Sequence, residues 1–176
     1  MEILPSLRSG SLVVVYAEHA ARDEIYHVIS QLALRGPLTV LDGGNRLQAY
    51  RIGQLLRQHT TEIHSAAEHL FIRRAFTCYQ MLALLEDAPA LPHPYLILDL
   101  LATFYDEHVR PQEAQRLLEA CLGQIERLCL SAPAAITLGR PILEERAFLI
   151  QKVCDRADSL FTEEVPSPEA RQPELF

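Results

Sequence analysis

The residues able to do chemistry gather where apolar runs meet turns. Residues 17–24 follow the run 12–16, Asp42-Gly43-Gly44-Asn45 follows 38–41, and Asp99 sits inside the run 95–101. A phosphate loop, GxxxxGK[ST], needs glycines to bring backbone N–H groups onto the phosphates, a lysine for their charge and a hydroxyl for magnesium. Ala17-Glu18-His19-Ala20-Ala21-Arg22-Asp23-Glu24 offers no glycine and no lysine. Gly43-Gly44 reads as a tight turn, with a small anion-binding nest as the alternative. Cys78, Cys121, Cys129 and Cys154 stand singly in apolar patterns, as buried reduced thiols do. His19, His27, His59, His64, His69, His93 and His108 share no spacing, and no Gly-x-Ser-x-Gly or Cys/His pairing suggests a nucleophile. Metal binding is not expected, because zinc sites favour closely spaced Cys and His ligands.

These turns need a sheet to hold them. Residues 12–16 read as a buried strand, and Ile25, Val28, Ile29, Leu32 and Ala33 then recur at helical spacing until Arg35-Gly36-Pro37 ends the helix. A short strand at 38–41 is followed by a second amphipathic helix carrying Leu47, Tyr50, Ile52, Leu55 and Leu56. A brief apolar stretch at 68–73, a helix at 79–85 and a proline-rich break at 88–94 come next. The almost unbroken apolar run 95–101 fits a central parallel strand covered on both faces. Pro111 and Glu113 open a long helix at 111–130; a strand at 134–138, a helix at 143–156 and an edge strand at 159–162 follow. The alternation predicts an α/β fold: a doubly wound, mostly parallel sheet with helices on both faces and ligands at the carboxyl ends of its strands.

With 176 residues, about half of them apolar, the chain is expected to form one domain over 1–163, followed by a flexible, aperiodic tail over 164–176. The net charge of -7 argues against coating DNA by bulk electrostatics, although local arginine patches remain available; Lys152 is the only lysine. No run reaches the ~18 apolar residues of a membrane span, and the start of the chain lacks a secretory pattern. The expectation is a cytoplasmic protein with no membrane partner.

Three segments, in order, resemble the core of the RecA/RadA-type recombinases, a P-loop NTPase fold. Val40-Leu41-Asp42-Gly43-Gly44-Asn45-Arg46-Leu47 is similar to the family's segment ending in Asp-Thr-Glu-Gly before an Arg-Leu-containing helix. Ile72-Arg73-Arg74-Ala75-Phe76-Thr77, with Gln80, Leu82 and Leu85, resembles the strand ending in Arg-Ala-Phe and its Gln/Leu helix. Leu96-Ile97-Leu98-Asp99-Leu100-Leu101-Ala102-Thr103-Phe104-Tyr105 looks like the aspartate-tipped strand that runs into an Ala-Thr turn. The resemblance covers roughly residues 11–140.

It implies a lost phosphate loop. Ala17 stands where the first glycine would, and Arg22-Asp23-Glu24 where Gly-Lys-Ser/Thr would; two carboxylates there are expected to repel a triphosphate. Gly44 occupies the place of the water-activating glutamate, and Asp99 retains the magnesium-side aspartate. The implied protein is a pseudo-ATPase without cofactor: an accessory of DNA repair, recombination or translesion synthesis. Its partner would be a recombinase-like or polymerase-like repair protein, or another copy of itself. An ATPase completed in trans is one alternative. The other is a single-stranded DNA mediator whose two loops would use Phe104, Tyr105, Arg140 and Arg146, by stacking and phosphate contact. Arg73 and Arg74 are expected to pair with Glu68 or Glu86.

The last residues, Gln172-Pro173-Glu174-Leu175-Phe176, resemble the peptide by which bacterial replication and repair proteins bind the sliding clamp. In that reading Leu175 and Phe176 fill a hydrophobic pocket while Gln172 supplies directional hydrogen bonds. Pro173 departs from the commonest form, which has Leu or Met after the Gln. The alternative is that Leu175 and Phe176 fold back onto the domain.

Overall fold

Each of the first five strands runs into a turn at the carboxyl end of one parallel sheet. The computed structural model describes residues 3–141 and 144–162. The strands are β1 (Leu12–Tyr16), β2 (Leu38–Asp42), β3 (Leu70–Arg74), β4 (Tyr95–Leu98), β5 (Ala134–Leu138) and β6 (Ser159–Thr162). They form a single sheet in the order β3-β2-β4-β5-β1-β6, and every pairing is parallel. The helices are α1 (Arg22–Ala33), α2 (Ala49–His59), α3 (Ile63–Glu68), α4 (Cys78–Asp87), α5 (Pro111–Cys129) and α6 (Phe148–Cys154).

The period-2 geometry of a strand divides the core in two. Val13, Val15, Leu38, Val40, Leu96 and Leu98 pack against the α1–α2–α3 layer, with Ile25, Ile29, Ile52 and Leu56. Leu12, Val14, Leu41, Ile97, Ile136 and Leu138 face the opposite layer, with Met81, Leu85, Leu118, Leu122 and Leu149. Both faces being covered explains why β1, β4 and β5 are apolar without alternation. At the β6 edge, Asp158 grips β1: the Leu12 N–H donates to its Oδ2 at 2.8 Å, and its own N–H donates to the Leu12 carbonyl at 2.9 Å. Lys152 and Arg156 tie α6 to α5 through Glu119, at 2.7 and 3.0 Å.

Three expectations are corrected, and one helix was not expected. The run 95–101 is not one strand: β4 stops at Leu98, Asp99 turns left-handed at φ 49°, and Leu100–Phe104 form a 3-10 turn. Burial of Leu100, Leu101 and Phe104 beneath α4 and α5 keeps that turn as apolar as a strand, and periodicity alone does not separate the two. The stretch 68–73 joins the end of α3, a helix the sequence did not announce, to β3. The helix expected over 143–156 is a 3-10 turn, Glu144–Arg146, and then the shorter α6. Arg74 pairs with neither Glu68 nor Glu86. Its Nε lies 3.5 Å from Asp42, and Nη2 donates to the Leu47 carbonyl at 2.5 Å, so it clamps the turn after β2.

Candidate functional site

The carboxyl ends of β1, β2, β3, β4 and β5 line a cleft of about 300 Å³. Its first wall is the turn from β1 to α1, which is closed rather than open. Ala17 continues the ladder, donating to the Leu138 carbonyl at 3.1 Å, and Ala20 N–H returns to the Ala17 carbonyl at 3.1 Å. Ala20 and Ala21 both adopt left-handed backbone, φ 55° and 49°, and all three alanines are buried. A turn this tight leaves no loop to wrap around successive phosphates. The acidic residues after it do not line the cleft: Asp23 pairs with Arg51 at 2.7 Å, and Glu24 lines a separate hollow beside Ile3 and Leu4. Only Arg22 of the Arg-Asp-Glu triplet reaches the cleft. The two carboxylates expected to repel a triphosphate thus lie outside the lining of the cleft.

The second wall is the turn after β2. The buried Asp42 carboxylate accepts the Leu47 N–H at 3.0 Å and lies against Arg74, while Tyr26 Oη accepts the Gln48 N–H at 2.9 Å. Gly43 and Gly44 are required by close approach. A Cβ on Gly43 would lie 2.8 Å from Met81 Cε and 3.0 Å from the Asp99 carbonyl. A Cβ on Gly44 would lie 2.8 Å from Asp99 Oδ2 and 3.0 Å from Asp99 Cβ. Where the resemblance would place a water-activating glutamate, Asp99 therefore occupies the side-chain volume.

Asp99 stands at the centre of the site. Its N–H donates to Thr137 Oγ1 at 2.8 Å, and Gly139 N–H donates to its Oδ1 at 3.3 Å. Burial pushes its carboxyl above the usual range; the Gly139 N–H and the charges of Arg46 and Arg22 oppose that, and Asp42 adds to it. A carboxyl whose folded pKa is raised holds its proton longer in the folded state. Stability is then fullest below the unfolded pKa and falls as pH rises through the folded one. Asp99→Asn, which keeps the shape and an acceptor for Gly139, is expected to raise the melting temperature at neutral pH, with the gain shrinking as the pH approaches ordinary carboxylate values. Melting curves of both proteins across pH check this; an Asn variant less stable than the wild type at neutral pH, with the deficit shrinking toward acid, would show the charge to be favourable.

The structure separates the four expected DNA contacts. Phe104 is fully buried, Tyr105 is 7 % exposed and Arg146 is 2 % exposed, so none of the three presents a surface to a base or phosphate. Arg146 instead donates Nη1 to the Phe104 carbonyl and Nη2 to the Val109 carbonyl. Arg140 alone is at the surface, lining the cleft 3.7 Å from Glu18. Gln172, Leu175 and Phe176 lie outside the described residues. Sequence reasoning missed Arg46 and Phe76, which line the same cleft. Their signal was position: Arg46 directly follows the turn cluster, and the exposed Phe76 follows β3. Among the described residues, no group of three or more His, Cys, Asp or Glu side chains is placed to hold a metal ion. The cysteines are free, and burial pushes the Cys121 thiol up to about 12, far from the reactive thiolate range.

The fold and the position of the cleft define the class: an α/β protein with a six-strand, all-parallel, doubly wound sheet, and its cleft over the carboxyl strand ends. The chain matches no protein-family model and no curated protein sequence. Among the described residues no helix is long and apolar enough to cross a membrane.

Proposed function

We propose that the chain is a RecA-like pseudo-ATPase that serves DNA repair, recombination or translesion synthesis as a protein-binding accessory, recruited to the sliding clamp by Gln172, Leu175 and Phe176. The observation that carries the non-hydrolysing reading is the approach of Gly44 to Asp99, which leaves no room for a catalytic carboxylate beside the one aspartate retained. The closed β1–α1 turn points the same way.

The opposite edge supports the platform reading. β3 pairs only with β2, so among the described residues its outer N–H and C=O groups are free to receive a strand. Phe71, 53 % exposed, and Leu91, 41 % exposed, border a hollow of about 280 Å³ beside that edge, together with Arg73 and His93. An apolar rim on an unpaired edge suits an extended segment of a recombinase-like or polymerase-like protein, or of a second copy. The single-stranded DNA reading has lost three of its four named contacts to the interior.

Thermal unfolding with ATP and magnesium tests the central claim. No stabilisation is expected, and a shift of several degrees would overturn it, because a ligand that binds the folded state alone must raise its stability. For recruitment, deleting Leu175 and Phe176 is expected to abolish binding to the purified clamp; unchanged binding rejects that part of the proposal.

A further inference from the structure

The cleft over Asp99 keeps features that a platform working from the β3 edge does not use. All four described non-glycine residues with left-handed backbone, Ala20, Ala21, Asn45 and Asp99, belong to the turns around it. Such conformations persist where the surrounding structure over-determines them, and they concentrate at ligand sites.

Charge states what that ligand is. Arg22, Arg46 and Arg140 line the cleft together, against only two carboxylates, Glu18 and Asp99. Glu18 is engaged with Arg140, whereas Arg22 and Arg46 have no carboxylate within 4.0 Å among the described residues. Guanidinium groups match the oxygens of a phosphate geometrically as well as electrically. At the rim, Phe76 is 64 % exposed, an uncovered aromatic face beside the arginines. The volume, about 300 Å³, lies at the small end of ligand pockets.

We propose that this cleft binds a phosphate monoester carried on a planar ring, a nucleoside monophosphate unit held without a divalent metal. The phosphate sits among Arg22, Arg46 and Arg140, and the ring stacks on Phe76. The closed β1–α1 turn rejects the further phosphates of a triphosphate. The unit is either a free mononucleotide or the 5′-phosphorylated end of a nucleic-acid strand, since both present the same chemistry. The cleft shares no lining residue with the hollow beside β3, so this site and the protein-binding edge fail or stand separately.

Calorimetric titration of the full chain in EDTA decides it, with AMP, adenosine, inorganic phosphate and 5′-phosphorylated or unphosphorylated oligothymidylate as probes. Saturable AMP binding is expected, with adenosine weaker by about tenfold or more. Arg140→Ala, a change at an exposed side chain, and Arg46→Ala are each expected to weaken AMP by about tenfold. Phe76→Ala should weaken AMP and leave inorganic phosphate unchanged. A phosphorylated oligonucleotide that binds more tightly than AMP, and loses that advantage without its phosphate, assigns the strand end; AMP binding at least as tightly assigns the free nucleotide. Absence of AMP saturation up to about 10 mM overturns the proposal. So does unchanged AMP affinity in both arginine variants with circular dichroism unchanged, or tighter binding of ATP with magnesium than of AMP in EDTA.

Discussion

Arg146→Met is expected to lower the unfolding free energy by about 2–4 kcal/mol and the melting temperature by on the order of 10 °C. The guanidinium is 2 % exposed and joins three parts of the chain: the 3-10 turn after β4 through the Phe104 carbonyl, the loop before α5 through the Val109 carbonyl, and its own turn before α6. Methionine fills much of the volume but donates nothing, so two carbonyls lose charge-assisted partners. The one in the interior also forfeits its solvation, a loss of about 1–3 kcal/mol for an unsatisfied buried group. Arg146 Nε is already without a partner, which tempers the gain from the native arginine and holds the figure below that of a fully satisfied network. Arg146→Lys is expected to recover only part of the loss, because an ammonium lacks the planar fork that serves both carbonyls. Urea titration reads the change as a lower midpoint at constant slope. A loss below about 0.5 kcal/mol would mean that the arginine is as dispensable as an ordinary surface side chain.

The second large effect comes from rebuilding the carboxylate that the resemblance finds missing. Gly44→Glu is expected to cost about 2–3 kcal/mol and to confer no ATP hydrolysis. The cost arises at Cβ: the new atom would stand 2.8 Å from Asp99 Oδ2 and 3.0 Å from Asp99 Cβ, so either the turn after β2 or the end of β4 must move. Gly44→Ala should therefore carry most of the penalty, which separates the steric cause from the added charge. The cycle of Gly44→Ala with Asp99→Gly isolates the contact. Its coupling is expected to exceed about 1 kcal/mol in the direction of relief, with the backbone benefit of glycine at φ 49° cancelling because Asp99→Gly is also measured alone. Additive effects would show that the two turns part at little cost. Turnover of ATP by Gly44→Glu would overturn the proposed function.

Much of the fold was legible because its pattern is local. β1 and β5 fall where the apolar runs place them, and α5 begins at its proline, since these elements are long or buried enough to write their period into the chain. The illegible parts are those in which two apolar conformations compete. Residues 95–101 read as one strand, yet the Asp99 N–H finds Thr137 Oγ1 on β5, 38 positions away, and the chain leaves the ladder there. α3, six residues long, is too short to show a period. Of the site, Asp99 and Gly44 were visible as residue types at strand ends. That they touch was not, because nothing in the spacing of β2 and β4 says that the two turns converge.

The turn at residues 17–24 shows the same division. Its lack of glycine and lysine is a property of sequence alone, and it is enough to remove the chemistry of a phosphate loop. Which side chains face the cleft is a property of the tertiary structure: Asp23 goes to Arg51, Glu24 to another hollow, and Arg22 joins Arg46 and Arg140 over Asp99. Likewise, the sequence presents Phe104 and Arg146 as an aromatic and a cation after strand ends, and both are buried in the fold, Arg146 on the carbonyls of Phe104 and Val109. Composition and periodicity determine which elements form, because those are set by neighbours along the chain. The sign and shape of the cleft are set by residues from five strand ends meeting in space, and only the folded sheet brings them together.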